Sequence, residues 1–440
     1  MIINNENLTD CVKLSSLKTD KFKASVISFT IYLPLSKSHY AHNLLLSHIL
    51  RRGTKAYPST ALLNKKLDEL YGSYLEVRSH RIGENLSLSL TAEILNNKYV
   101  TDGTDILGEI ISVAAELILS PAFIEENFNL SFFEQEKKII CENVDSEINN
   151  TRLYAAKRCA EIINEKLDIP TSAELKDIIS DATIDSLKEY YHYLINHAPM
   201  HIFYVGSHDE ETLKNKVSAA FAEYPCHKPM NLIYPCPITR DEALELSKQM
   251  PVSQGKLSLG FSTGISVSKD NNAFYTATLL NEILGGSAFS KLFLNVREKL
   301  GICYYCSSSL SGYSGVILIS SGFEVKNYDL ARNAILSQIE DIKQGRISDA
   351  ELDAAKRSLT SSYLQIFDSP TDLQSFFGNR ALFGIEANIE ETISNLLTIT
   401  REDIVALAAN IKLIASYFVE GTLGDDNESD EESEGEDENE

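Results

Sequence analysis

The stretch "LLNEILGGSAFSKLFLNVREKLGICYY", residues 279–305, compresses one structural cycle into a single segment. An apolar run ends at Gly285-Gly286-Ser287, a helical segment follows, and that helix stops at Gly301. A β-type run then begins, because Cys303, Tyr304 and Tyr305 lead into "CSSSL" and on to the apolar "VILISSGFE" at 316–324. Helix, glycine stop and strand in this order predict a helix laid against a hairpin.

The same cycle occurs earlier in the chain. "LLSHIL" (45–50) reads as one side of a helix, "LNKKLDELYGSYLEV" (63–77) as a helix that stops near Gly72 and enters a strand, and "LSLSLTAEI" (86–94) as an alternating strand. Aligning Gly72 with Gly301 brings Leu86 close to Val316 and Leu45 close to Leu279, with only small loop differences. Each copy continues into helices and ends in a late strand, "MHIFYVGS" (200–207) and "LIASYFVEG" (413–421). An ordered set of matches of this kind marks an internal repeat. The segment 225–242 carries four of the eleven prolines, which disfavour helix and central strand alike, and is expected to link the copies. The expected fold class is α+β, with residues 1–224 and 243–423 as two homologous halves.

Composition narrows the functional classes. The chain of 440 residues is 43% hydrophobic and carries a net charge of −23. Residues 425–440 hold 11 acidic residues and no basic one, so 424–440 is expected to be a disordered acidic tail. A chain this acidic is a poor nucleic-acid binder. No apolar run is long enough for a membrane span, and "MIINNENLTD" does not resemble a secretory leader, so no membrane partner and a cytoplasmic location are expected. Seven scattered cysteines make a poor disulfide framework. Cys303 and Cys306 have C-x-x-C spacing, but side chains three apart on a regular strand face opposite ways, so two unrelated thiols are expected.

Both halves together resemble the M16 peptidases, the insulinase, pitrilysin and mitochondrial processing peptidase family. The most specific match is the opening segment, with its Gly-Gly-Ser loop, Ser-Lys-Leu-Phe helix start and Arg-Glu-x-x-Gly-x-x-Tyr run. The resemblance implies two LuxS/MPP-like α/β-sandwich halves forming a clam-like half-shell, two of which enclose a proteolytic chamber. It also implies an inverted zinc motif, H-x-x-E-H, in the N-terminal half, where two histidines bind the metal and the glutamate activates water.

In this chain the matching stretch is "NLLLSHILRRGT" (43–54). With the family's Gly-Thr set on Gly53-Thr54, the first histidine becomes Leu44, the base becomes Ser47, and only His48 survives. On the later helix, "FEQEKKIICEN", Glu136 matches the earlier glutamate of the family's segment and the third-ligand position falls on Asn143, beside Glu142. Leucine has no lone pair for a metal, and serine cannot replace glutamate as base. One imidazole does not hold catalytic zinc. A relocated site on His39, His42 and His48 lacks a carboxylate in that segment. No metal or other cofactor is expected in this chain.

Arg297 and Tyr304 match the pair that the family uses to grip substrate near the scissile bond. Taken alone, they read as a solvated charge at a helix end and a core aromatic. The resemblance instead implies a non-catalytic, substrate-binding subunit. Its partner would be a homologous zinc-bearing M16 chain, and its substrate a peptide or unfolded protein segment. A purely structural scaffold role is the alternative. "GFSTG" (260–264) is expected as a sheet edge that could add a peptide strand.

Overall fold

Two mixed sheets organise the computed structural model, which describes residues 3–267 and 272–423; the acidic tail expected at 424–440 lies outside the described residues. In chain order the first elements are β1 (Asn4–Asn7), β2 (Val12–Lys18), β3 (Ala24–Pro34), α1 (Lys37–Leu50), α2 (Thr60–Glu69), β4 (Tyr74–Ile82) and β5 (Asn85–Leu95). Next come α3 (Ile106–Leu119), the short hairpin of β6 (Phe123–Ile124) and β7 (Asn127–Phe128), α4 (Leu130–Ser146) and α5 (Thr151–Ile163). They are followed by α6 (Ser172–Asp181), α7 (Ile184–His197), β8 (Met200–Gly206) and α8 (Glu210–Ala220). The second half opens with β9 (Leu244–Met250), β10 (Gln254–Ser262), α9 (Asn272–Asn281), β11 (Cys303–Ser311) and β12 (Val316–Glu324). It closes with α10 (Tyr328–Lys343), α11 (Asp349–Gln365), α12 (Pro370–Leu382), α13 (Ile389–Thr398), α14 (Arg401–Ala408) and β13 (Lys412–Gly421).

The sheet orders reveal the repeat. The six-stranded sheet runs β1-β2-β8-β3-β5-β4, and the five-stranded sheet, read from its β9 edge, runs β9-β13-β10-β12-β11. From β2 onward the two orders correspond strand for strand. Their single parallel pair also falls at the same place, β2 with β8 and β9 with β13. Gly72 and Gly301, equated from sequence, both enter a hairpin with positive φ, +69° and +63°. Neither has an atom within 4 Å of where a Cβ would stand, so backbone conformation alone calls for glycine.

By contact, the described residues fall into two compact units that interleave along the chain. One comprises residues 3–146, 167–235 and 362–391; the other comprises 147–166, 236–267, 272–361 and 392–423. Thus α12, from the second half of the sequence, packs in the first unit, where Gln374 Nε2 donates to Ser28 Oγ of β3 at 2.8 Å. Reciprocally, α5 packs in the second unit against β10, where a Cβ on Gly260 would lie 2.5 Å from Ile163 Cδ1. The halves 1–224 and 243–423 proposed from sequence are divisions of the chain, and each lends one helix to the other's sheet.

In the first unit, Leu45, Leu46, Ile49 and Leu50 of α1 and Ile110, Val113, Ala114 and Leu117 of α3 share one core with Ile27, Phe29, Ile31, Leu88 and Leu90 of the sheet. Each fully buried large aliphatic side chain contributes about 1.5–3 kcal/mol. This packing fixes the rotation of α1 and leaves His48 partly exposed at 32%.

Two expectations fail in the second unit. "GFSTG" does not form an edge, because β10 is hydrogen-bonded to β12 on one side and β13 on the other; the edges are β11 and β9. The thiols of Cys303 and Cys306 do not face opposite ways either. Cys303 opposes Phe323 and Tyr305 opposes Gly322, so the ladder slips by one residue at Tyr304. The extra residue of this β-bulge reverses the alternation, and both cysteines are buried.

Gly322 makes room for the ring of Tyr305, since a Cβ there would lie 2.4 Å from Tyr305 Cε1. That ring is held between Arg152, 4.2 Å from its centroid, and Lys256 at 5.6 Å. Gly322→Ala therefore should cost about 1–3 kcal/mol by overpacking, read as a lower urea midpoint. Gly301→Ala, where the space is open, should cost only the left-handed backbone penalty of about 1–2 kcal/mol. Equal loss at the two sites would remove the packing argument for Gly322.

Candidate functional site

α1 begins where Ser36 caps it by accepting from the His39 backbone N–H at 3.2 Å, and it carries the stretch that the sequence reading set against the zinc motif. Leu44 packs against the core of the first unit. Ser47 is buried, and its Oγ donates to the Leu44 carbonyl at 2.7 Å, so the hydroxyl is satisfied within the helix. His48, one residue on, turns toward α4. Its Nδ1 donates to Glu136 Oε2 at 2.8 Å.

The other oxygen of Glu136 is also taken. Arg52, one turn beyond His48, donates from Nε to Glu136 Oε1 at 2.6 Å and brings Nη2 to the same oxygen. The guanidinium carbon stands 5.2 Å from the centroid of the Phe132 ring. Glu136 is only 5% exposed. Burial alone would push its carboxyl up, but the hydrogen bonds from His48 and Arg52 and their charge outweigh burial and hold it below the ordinary glutamate range. Where a metal would supply positive charge to such a carboxylate, a guanidinium does so here.

The remaining sequence candidates lie apart from this cluster. Asn143, the position expected to correspond to the third ligand, is exposed near the C-terminal end of α4, and its carbonyl accepts from Ser146 Oγ at 2.9 Å. Its neighbour Glu142 pairs with Lys138 at 3.6 Å. His42 is held by the Ser38 carbonyl at 2.8 Å and Ser186 Oγ at 3.0 Å. His39 packs against Tyr190 and Tyr193, and burial lowers its pKa. Among the described residues, no three His, Cys, Asp or Glu side chains are grouped to hold a metal ion. The donor set does not fit zinc. A hydrocarbon stands at the expected first ligand position, an internally bonded hydroxyl at the expected base, and an arginine cation against the buried Glu136 carboxylate. Arg52 was not singled out from sequence. The signal was a basic residue one helical turn after the surviving histidine, with a glutamate on a later helix.

In the second unit the segment that opened the sequence reading forms two wide helical turns, Glu282–Gly286 and Leu292–Lys299, of the rare π type that often occurs at functional sites. The widening is visible at its end, where Leu300 N–H bonds the Asn295 carbonyl five residues back at 3.3 Å. Lys291 anchors the second turn through an ion pair to Glu351 of α11 at 2.7 Å, with Lys291 only 6% exposed. Arg297 lies on this turn, 41% exposed, with its guanidinium 4.8 Å from the Phe293 ring centroid and Nε 3.6 Å from Glu298 Oε1.

Tyr304 is 49% exposed at the bulge, so it is not a core aromatic. Tyr305 turns the other way, and burial pushes its hydroxyl up to about 12. Phe289, Leu294 and Leu300 of the same segment are exposed as well. The arrangement offers a permanent guanidinium charge, a phenol and apolar side chains, with no nucleophile or general base among them. Such groups can bind and orient a polar chain.

Known proteins resemble this chain in sequence and fold. Residues 181–359 match the family described as "Peptidase M16 inactive domain". The "Probable inactive metalloprotease YmfF" of Bacillus subtilis (strain 168) is 30% identical over 413 residues, covering 93% of this chain and 95% of the relative. The "Uncharacterized zinc protease YmxG" of the same organism is 24% identical over 300 residues, covering 67% and 71%. Among solved structures, a conserved protein from Enterococcus faecalis V583 superposes with a TM-score of 0.85 at 24% identity, covering 95% of this chain and 98% of that one. A peptidase M16 inactive domain from Pseudomonas fluorescens gives 0.79 at 16% identity, covering 96% and 99%.

Proposed function

This chain belongs to the peptidase M16 family, and on that premise we propose that it is a substrate-binding subunit without catalytic zinc, working with a homologous M16 chain that carries the intact H-x-x-E-H site. The partner supplies the metal and its water-activating glutamate. This chain supplies Arg297 and Tyr304, which hold an extended peptide or unfolded segment by its carbonyls; arginine gives a fixed fork of donors and tyrosine a neutral hydroxyl. The cytoplasm is the proposed location; no helix among the described residues is long and apolar enough to cross a membrane.

One contrast within the chain carries the reading. The expected zinc position holds hydrocarbon, an internally bonded serine and the His48–Glu136–Arg52 cluster, whereas Tyr304 and Arg297 are 49% and 41% exposed.

The test is reconstitution. The purified chain alone should bind no stoichiometric zinc by metal analysis and should leave unfolded peptides intact. Addition of a zinc-bearing M16 homologue from the same cell should produce peptide hydrolysis that neither chain shows alone. Tightly held zinc with hydrolysis by the isolated chain, abolished by His48→Ala, would overturn the reading.

A further inference from the structure

The bulge in β11 changes what the C-x-x-C spacing means. Cys303 opposes Phe323 and Cys306 opposes Ser321, two residues that are two apart on β12 and are both fully buried on one face. The two cysteines therefore share that face, and they are 6% and 3% exposed. Two strand steps span about 6.6 Å and a bulge shortens the path, which falls within the Cα separation of about 4.4–6.8 Å that a disulfide accepts. Sharing this buried face, the two thiols act on one another: Cys306 lowers the Cys303 thiol pKa against the effect of burial, while Cys303 and burial raise that of Cys306. Both thiols are free in the structure. The one residue outside the ladder register between them is Tyr304, whose side chain is half exposed.

We propose that Cys303 and Cys306 form an oxidisable dithiol, a modification site at which a peroxide closes a disulfide across the bulge that presents Tyr304. The Cys303 thiolate attacks one oxygen of hydrogen peroxide, breaking the O–O bond, forming a sulfenic acid and releasing hydroxide. The Cys306 sulfur then attacks the sulfenic sulfur, forming the S–S bond as the S–O bond breaks. Hydroxide leaves, and the Cys306 proton and a solvent proton complete two waters. Two thiols lose two electrons in total, and one peroxide gains them. Closure joins the residues on either side of Tyr304, so the bulge can no longer adjust when Tyr304 is contacted. Arg297 lies outside the ring.

A second close pair provides the comparison within the same molecule. Cys226 Sγ lies 2.6 Å from Cys11 Sγ in the first unit, both buried, and burial together with Cys11 pushes the Cys226 thiol up to about 12. That shift disfavours the Cys226 thiolate as it does that of Cys306, so the contrast rests on Cys303, whose thiol pKa is lowered.

The experiment treats the reduced full-length chain with a small excess of hydrogen peroxide, then denatures, alkylates and digests it with trypsin. The tryptic peptide 300–326 contains Cys303 and Cys306 and no other cysteine. It should lose two hydrogens and both alkyl groups, regain both thiols on treatment with dithiothreitol, and do so at lower peroxide than any Cys11–Cys226 link. Cys306→Ser should leave a sulfenic acid at Cys303 that dimedone captures; Cys303→Ser should leave none at Cys306. Doubly alkylated 300–326 at peroxide levels that have already linked Cys11 to Cys226 would overturn the proposal, as would equal dimedone capture in the two variants. These readouts do not depend on the proposed function. A separate arm does: peroxide should lower the hydrolysis of the reconstituted pair, reversibly for wild type and not for the double variant Cys303→Ser/Cys306→Ser. A wild-type loss shared by the double variant would overturn the link to Tyr304 while leaving the peptide-mapping result intact.

Discussion

Arg52→Ala lowers the stability of this chain by about 3 kcal/mol at neutral pH, the low end of the penalty for stranding one partner of a buried ion pair. The low end applies because Arg52 is itself 26% exposed and because His48 still donates to the stranded carboxylate. The loss has a diagnostic pH dependence. In the wild type, Glu136 is held below the ordinary glutamate value of 4.5, so its bonds contribute stability above that pH, and the contribution disappears as pH falls through the lowered value. Without Arg52, burial dominates and the carboxyl moves up, so the variant regains stability on acidification as Glu136 takes a proton. The difference between wild type and Arg52→Ala is therefore largest near neutrality, begins to shrink as pH falls through the variant's raised Glu136 value, and is smallest below the lowered wild-type value. Urea unfolding at a series of pH values measures it. Arg52→Lys keeps the charge but not the fork and should recover part of the loss. A difference that does not change with pH would mean that Arg52 acts through its packing on Phe132 and not through Glu136.

On the proposed function, Arg297→Ala should reduce peptide turnover by the reconstituted pair about a hundredfold, the effect of removing one preorganised donor from a developing oxyanion, with the amount of complex unchanged. Tyr304→Phe, which removes one hydroxyl and keeps the ring, should reduce it about tenfold. Both side chains are substantially exposed and neither belongs to a buried ion pair, so the isolated chain should unfold at the wild-type urea midpoint in each case. Steady-state kinetics at fixed chain ratio, with complex quantified by sedimentation, separates turnover from assembly. Wild-type turnover in both variants would assign the chain a scaffold role and remove Arg297 and Tyr304 from the reaction.

The degree to which these features can be read from the chain follows from their range. Gly72 and Gly301 could be equated from sequence because each answers a local demand, a positive φ at the entry to a hairpin. The loss of zinc chemistry was equally legible, since Leu44 and Ser47 lack the required donors in any fold. Three features were not legible. The Cys303–Cys306 face depends on how β11 registers with β12. The interior place of "GFSTG" depends on β13, which arrives at the end of the chain. The cluster at Glu136 joins α4 to Arg52 across 84 residues.

Periodicity, glycine placement and donor chemistry, all properties of short segments, established an α+β repeat of the M16 kind and gave the expectation that no hydrolytic metal triad is present. Pairing between distant segments decided the rest: which helix covers which sheet, which thiols share a face, and that an arginine stands against the buried Glu136. The reason is physical. Backbone torsion and side-chain chemistry act within a few residues, whereas strand register and buried charge compensation arise only when remote surfaces close on one another and exclude water.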